Sequence, residues 1–552
     1  MQNIDKLWVF LGIINQKQNF GGGYRMDTKI IKNIGKANRE NVNDIIKIAI
    51  VLIFFFIASL IAIFFGAKDN ILLLVFATLV GAYMAMNIGA NDVANNVGPA
   101  VGSNAISLFM AIFIAAVFES LGAIIAGSEV ADTIKSGIVS PDGIANSKVF
   151  IMLMLGALLS SAVWLHLATF VGAPVSTTHS LVGGILGAGI LAGGIGVVNW
   201  MELGRIVSSW IVSPVMGGVI AMVFLFIIKR TITYQDDKNH AAKIAVPILV
   251  FIMSWSFIVY LVIKGLKKFF PISFGLAALI AFVLATIIFF IARPLIVKKA
   301  QSLPNSKESI GELFTIPLIF AAAMLSFAHG ANDVSNAVGP LAAINQALND
   351  LASEATQSKA SVPFWILLIG GLGISIGLAL YGPRLIRTVG SEITELDKIR
   401  AFCVAMSAAI TVIIASQLGL PVSSTHVTIG GIFGVGFLRE YLKNRYYEMQ
   451  QTIIQAHRGK DSQEVEQFLN AFNKANIKRK GEILESLKQQ EIKIVLNFSK
   501  KERRGLKKAY KNELVKRSAI NKIVASWLIT VPVSALLGAF SFFILTLIDF
   551  DI

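Results

Sequence analysis

Apolar residues run in long blocks along nearly the whole chain, and short polar breaks separate them. About thirteen blocks stand out, near 46–66, 70–88, 105–126, 149–172, 176–197, 205–228, 244–263, 273–297, 313–329, 362–386, 401–420, 421–438 and 521–548. Several reach the ~20 residues that a helix needs to cross the hydrocarbon core of a bilayer.

Two pairs of blocks differ from the rest. Within 149–197 the apolar run is split by Pro174-Val175-Ser176-Thr177-Thr178-His179, and within 401–438 by Pro421-Val422-Ser423-Ser424-Thr425-His426. Proline followed by serine and threonine is a helix-start signature. Each pair is therefore predicted to be a re-entrant helical hairpin that enters and leaves on one side, with its polar tip buried at the turn.

On that count the charges sort by side. Lys29, Lys32, Lys36 and Arg39, the 229–243 loop, the 298–312 loop, Arg384 to Arg400 and the 439–520 loop all fall inside, and the acidic stretches 127–148 and 341–361 fall outside. This agrees with the retention of basic loops in the cytoplasm. Lys264, Lys267 and Lys268 disagree, because they land outside. The first hairpin then enters from outside and the second from inside, so the two halves are inverted copies.

The predicted fold is an all-α polytopic membrane protein with two inverted-topology repeats, each with a broken helix and a re-entrant helical hairpin. Its parts are a basic cytoplasmic segment 1–45, a first repeat 46–229, connecting transmembrane helices 230–312, a second repeat 313–438, a basic cytoplasmic loop 439–520 and a last transmembrane helix 521–552. The protein is expected in the cell membrane with its N-terminus in the cytoplasm, and no cleavable signal peptide is visible.

Composition agrees: 55% of the 552 residues are hydrophobic and 15% charged, with a mean hydropathy of +0.70. The net charge of +16 suggests nucleic acid at first sight. However, the 439–520 loop alone holds twenty Lys and Arg against ten Asp and Glu. The charge is a topology signal, and no nucleic-acid partner is expected. In that loop 461–493 reads as an amphipathic helix, and the basic cluster 500–517 suits anionic lipid. A single cysteine, Cys403, excludes an intrachain disulfide and a cysteine-built metal cluster.

The chemistry lies in a duplication. Gly89-Ala90-Asn91-Asp92-Val93-Ala94-Asn95-Asn96-Val97-Gly98-Pro99 recurs as Gly330-Ala331-Asn332-Asp333-Val334-Ser335-Asn336-Ala337-Val338-Gly339-Pro340, and a hairpin tip follows each copy. An aspartate at membrane depth costs roughly 2.5–3.5 kcal/mol unless a cation or a wet cavity compensates it. Asn91 and Asn95, like Asn332 and Asn336, lie one helical turn apart and offer oxygen to one side. The flanking glycines and Gly-Pro pairs predict an unwound segment whose carbonyls add ligands. Oxygen donors suit a hard cation, so Asn91, Asp92, Asn95, Asn332, Asp333 and Asn336 are candidate Na⁺ ligands, with protonation of Asp92 and Asp333 as the other way to neutralise them.

The tips have the opposite polarity. A helix start presents unpaired N–H groups and the positive end of its dipole, which bind oxyanions. Ser176, Thr177, Thr178, Ser423, Ser424 and Thr425 add hydroxyl donors around a tetrahedral anion. A dianion beside two aspartates totals about −4, and each helix end offsets only about half a unit. The anion needs cations beside it, which makes coupled binding obligatory. His179 and His426 follow the tips by one turn as supporting groups. Glu119 and His329 break the symmetry, aligning with Ile374 and Ile88; Glu119 is a candidate third-cation or proton site, and His329 a supporting one.

On these four motif blocks the chain resembles the PiT family of inorganic phosphate transporters. The resemblance implies secondary active uptake of inorganic phosphate with Na⁺ or H⁺, no resident cofactor, no enzymatic activity and a homodimer. It also implies cation roles for Asn91, Asp92, Asn332 and Asp333 and phosphate roles for the Ser/Thr tips. Some relatives of the family move sulfate; a proton on phosphate that Asp92 or Asp333 accepts favours phosphate. An intramembrane hydrolase using Ser176 or Ser423 lacks a third orienting group, and a passive anion channel would need no cation.

Overall fold

The computed structural model describes residues 28–140, 143–173, 175–266, 272–353, 361–392, 396–456 and 517–548. The segment 1–27, most of the 439–520 loop, Pro174, Lys267 and Lys268 lie outside the described residues. Contacts divide the chain into Met1–Phe54 and Phe55–Ile552. Of the first unit, the residues from Thr28 onward belong to helix α1, Thr28–Phe65.

The second unit is helical throughout its described residues, apart from one extended bridge between Val139 and Val198. In chain order its helices are α2 Ile71–Asn91, α3 Val93–Gly102, α4 Leu108–Ala126, α5 Ser128–Ser136, α6 Ser147–Val171, α7 Thr177–Gly193, α8 Trp200–Ile228, α9 Lys238–Leu266 and α10 Phe274–Gln301. There follow α11 Lys307–Leu313, α12 Thr315–Asp333, α13 Ser335–Ser353, α14 Phe364–Glu392, α15 Lys398–Gln417, α16 Ser424–Ala456 and α17 Arg517–Leu547. Among the described residues, 11 helical spans are long and apolar enough to cross a membrane. The chain is a multi-pass membrane protein.

Two polar motifs extend their spans further than hydropathy suggests. The block near 70–88 continues to Gly102, and the block near 313–329 continues to Asp350, because the motif residues stay helical although they are polar. The expected unwinding is reduced to one residue in each copy. Asp92 separates α2 from α3 with φ −85° and ψ −33°, and Val334 separates α12 from α13 with φ −56° and ψ −31°. Local hydrogen bonds explain this: the Asn95 and Ala337 N–H groups reach back three residues to the carbonyls of Asp92 and Val334, at 3.0 Å each. The prolines still matter, since Pro99 and Pro340 bring no N–H to the carbonyls of Asn95 and Asn336 one turn earlier.

The halves pack by exchange. α2 lies on α14 and α12 on α4; α7 lies on α17 and α16 on α8; and α6 and α7, like α15 and α16, pack as hairpins. Backbone approach sets these pairs. A Cβ at Gly89 would overlap the carbonyl of Ile374, and one at Gly330 that of Glu119; one at Gly122 would meet Phe327, and one at Gly377 would meet Met86. Positions that align between the halves thus make equivalent contacts, each across to the other half. Small residues at such crossings are how helices associate where lipid gives no hydrophobic drive.

Lys264 on α9 is the one of the three exceptional lysines that lies among the described residues. Its ammonium is buried, ion-paired with Glu129 of α5, and 3.4 Å from the carbonyl oxygen of Ser416 near the end of α15. A neutralised lysine gripping a helix C-terminus is a packing element and carries no topology signal.

Candidate functional site

The hairpin turns are tied to the motif helices by asparagines. Asn91 Nδ2 donates to Thr169 Oγ1 (2.9 Å) and to the Ala173 carbonyl (3.3 Å), and its Oδ1 accepts from the Val175 N–H (3.4 Å). Asn332 repeats the pattern with Ser416 Oγ (3.0 Å), the Leu420 carbonyl (3.1 Å) and the Val422 N–H (3.2 Å). These two side chains therefore hold the turns in place. Thr169 and Ser416 are functional partners that sequence reasoning missed; nothing in one sequence marks them beyond their equivalent places before the two tips.

The tips then begin new helices. Ser176 Oγ caps α7 by accepting from the His179 N–H (3.2 Å), and Ser423 Oγ caps the start of α16 by accepting from the His426 N–H (3.3 Å). The next residues reach the aspartates. Thr177 donates to Asp92 Oδ2. Ser424 donates to Asp333 Oδ2 at 3.0 Å.

Thr178 and Thr425 cross between the halves. Thr425 Oγ1 donates to Asp92 Oδ1 (3.3 Å) and accepts from Asn95 Nδ2 (2.8 Å). Thr178 Oγ1 donates to the Val422 carbonyl (3.1 Å) and accepts from Asn336 Nδ2 (3.2 Å). Both aspartates, both tips and both distal asparagines thus share one buried cluster. An oxygen of Asp92, an oxygen of Asp333 and a ring nitrogen of His329 lie within 4.8 Å of one another.

The donor set fits cations. Asn95 Oδ1, Asn336 Oδ1 and Asp333 Oδ1 are buried and meet no hydrogen-bond donor among the described residues. Three such oxygens beside two carboxylates form an acceptor-rich array, and buried acceptors need a donor or a positive ion. Asn95 and Asn336 bond the cluster threonines through Nδ2 and keep Oδ1 without a donor, whereas Asn91 and Asn332 use theirs on the hairpin turns.

The symmetry-breaking residues form one chain. Asn96 Nδ2 donates to Glu119 Oε1 (2.8 Å), Glu119 Oε2 lies 2.6 Å from His329 Nδ1, and His329 Nε2 lies 2.8 Å from Asp333 Oδ2. His329 is thus the bridge between the two acids, and Asn96 joins a site that sequence reasoning did not give it. The signal was present, because Asn96 faces Ala337 in the aligned motif. His179 and His426 stand apart as a ring pair, with centroids 4.5 Å apart and Trp210 at 3.8 Å from His179.

Comparison with known proteins places the chain in a family. Residues 88–538 match the profile of the phosphate transporter family. A Helicobacter pylori strain J99 protein named "putative phosphate permease" is 56% identical over 530 residues, 95% of this chain and 99% of its own. A permease of the same naming from Pyrococcus horikoshii is 40% identical over 373 residues, 66% of this chain and 89% of its own. A solved structure described as the sodium-dependent phosphate transporter is 32% identical, with a TM-score of 0.69, covering 86% of this chain and 100% of that chain. A family match that spans both motif copies and both hairpin tips, with relatives alike almost end to end, makes this protein a member of the phosphate transporter family.

Proposed function

We propose that this transporter carries inorganic phosphate together with Na⁺ across the cell membrane by alternating access. The observation that carries the reading is the crossing of Thr178 and Thr425, each bonded to the distal asparagine of the opposite half. That crossing supports one shared place for cation ligands and anion donors.

Coupling then has a simple origin. A hydroxyl has one proton to donate, and in this structure Thr177, Thr425 and Ser424 give theirs to Asp92 and Asp333. A Na⁺ that engages the carboxylates with Asn95 and Asn336 oxygens releases those hydroxyls toward the anion. The N–H groups of the first turns of α7 and α16 add to them. Each ligand raises the affinity of the other by the same factor. The exchange packing of the halves supports an inverted repeat whose pseudo-two-fold axis passes through this cluster, the arrangement that alternating access uses. The homodimer and the cytoplasmic N-terminus remain part of this proposal by family resemblance and by charge.

One observation favours a second driving ion. The chain Glu119, His329, Asp333 joins three proton-carrying groups in a line, which suits H⁺ in place of one cation. Proteoliposomes separate the readings: Na⁺ coupling gives concentrative phosphate uptake with an imposed Na⁺ gradient at equal pH. Uptake driven by a pH gradient alone gives the driving role to H⁺, and uptake indifferent to both gradients refutes symport.

A further inference from the structure

Away from the central cluster, cations from four helices converge on one small cavity. Lys229 and Thr233 come from the turn that ends α8, Lys307 from the start of α11, Arg400 from the first turn of α15 and Arg439 from α16. Among the described residues, Asp397 is the single carboxylate in the lining. It accepts from the Arg400 backbone N–H at 2.9 Å, lies 3.1 Å from Arg400 Nη2, and lies 3.8 Å from Lys307 Nζ. Burial works to raise the Asp397 carboxyl, but the hydrogen bonds and charge of Arg400, with the charge of Lys307, outweigh it and hold it below its ordinary value. It is an ionised acid among four cations.

Glu312 of α11 is bound through both oxygens to Lys398 at 2.8 Å. Like charges gathered around one cavity, from the exposed Lys307 to the part-buried Arg400, favour an anion among them. The cavity measures about 50 Å³. A water needs ~10–15 Å³ by this measure, so the space suits a compact group of about four oxygens. Arginine forks and ammonium groups supply donors only, and the Thr233 hydroxyl has a proton to donate as well, which is what a phosphate group accepts.

We propose that this pocket binds a phosphate group, either free phosphate or the headgroup of an anionic phospholipid. Arg400 and Arg439 lie on the two arms of the second hairpin, and Lys229 ends the helix against which α16 packs. The bound anion therefore ties the base of that hairpin to α8, about which the hairpin would have to shift during transport. Basic pockets between membrane helices are established places for lipid phosphates. The claim does not depend on which ion drives transport.

The test uses the full chain in nanodiscs of phosphatidylcholine, with inorganic phosphate added in one arm and phosphatidylglycerol mixed into the disc in the other. Thermal unfolding is followed for the wild type, for Lys229→Gln/Arg439→Gln, for Lys229→Arg/Arg439→Lys, and for Thr178→Val in the central cluster. The expected result is a rise in Tm in at least one arm, cut to less than half in the Gln pair and kept in the charge-conserving pair; in Thr178→Val the lipid-arm rise is kept, and a phosphate-arm rise loses at most the share that the central cluster contributes. The responding arm names the source. A rise of wild-type size in the Gln pair in both arms overturns the proposal, as does a rise lost only in Thr178→Val, or no rise in either arm.

Discussion

The two halves of this transporter carry the same motif and differ at three aligned positions that meet in space. Where the first copy has Ile88 and Asn96, the second has His329 and Ala337, and Glu119 of the first half faces Ile374 in the second. His329, Asn96 and Glu119 are consecutive members of one buried chain that ends on Asp333. Among the described residues, the hydrogen bonds to the Asp92 carboxylate come from hydroxyls, those of Thr177 and Thr425. Duplication therefore supplied two equal frames, and the divergence was concentrated in one polar line. The halves are equal in how they hold the backbone and unequal in how they manage charge.

The largest effects test what the halves share. Asp92→Asn and Asp333→Asn each remove a carboxylate from the acceptor array, and each is expected to abolish Na⁺-driven phosphate uptake while the protein still inserts. Uptake in proteoliposomes, with expression measured in parallel, checks this. Wild-type uptake in either variant breaks the equivalence of the two copies.

The next test makes the second half resemble the first. His329→Ile leaves Glu119 buried without its histidine partner, and leaving a buried polar group unsatisfied in this way costs about 1–3 kcal/mol, more if it is charged. Glu119→Ile added to it removes the stranded group, so the double variant is expected to be more stable than His329→Ile alone. Thermal unfolding of the four-member cycle reads the coupling. Additive losses would mean that the chain from Asn96 to Asp333 is not one unit.

A third comparison is purely steric. Gly89→Ala and Gly330→Ala each force a Cβ onto a backbone carbonyl of the opposite half, Ile374 in one case and Glu119 in the other. Overpacking of this kind costs about 1–3 kcal/mol. Both variants should lose similar stability, measured as Tm in detergent. A loss confined to Gly330→Ala would show that the polar chain at Glu119, and not the shared frame, sets the cost.

Much of this was legible in the sequence, for particular reasons. The motif copies and hairpin tips are contiguous in sequence, so Asp92, Asp333, Thr177 and Ser424 stood out without a structure. Their meeting was inferred from charge balance, and Thr178 and Thr425 reached into the same cluster. The unwinding was overestimated at Asp92 and Val334, because Gly and Pro weaken a helix without dictating whether the neighbouring turns close by local bonds. The roles of Asn91 and Asn332 were hidden for a different reason: an amide has both donors and an acceptor, and only the packed hairpin decides which way its oxygen turns. The pairing of Lys264 with Glu129 was not legible either, since the two are distant in sequence.

The smallest expected difference is the most informative about coupling. Thr178→Val and Thr425→Val each delete one hydroxyl with little change in bulk, and the loss of a single neutral hydrogen bond is worth about 0.5–1.5 kcal/mol. Both should therefore raise the apparent phosphate KM by up to about tenfold, on that scale. They should differ in Na⁺ dependence. Thr425 donates to the Asp92 carboxylate, whereas Thr178 donates to a backbone carbonyl at Val422. Deleting the Thr425 hydroxyl leaves Asp92 with fewer donors, so the carboxylate engages Na⁺ more readily and the Na⁺ concentration for half-maximal uptake falls. Deleting the Thr178 hydroxyl leaves that concentration unchanged when phosphate is saturating. Equal shifts in Na⁺ dependence for the two variants would place the cation outside the reach of Asp92, and the exchange of hydroxyls between carboxylate and phosphate could not then be the coupling step.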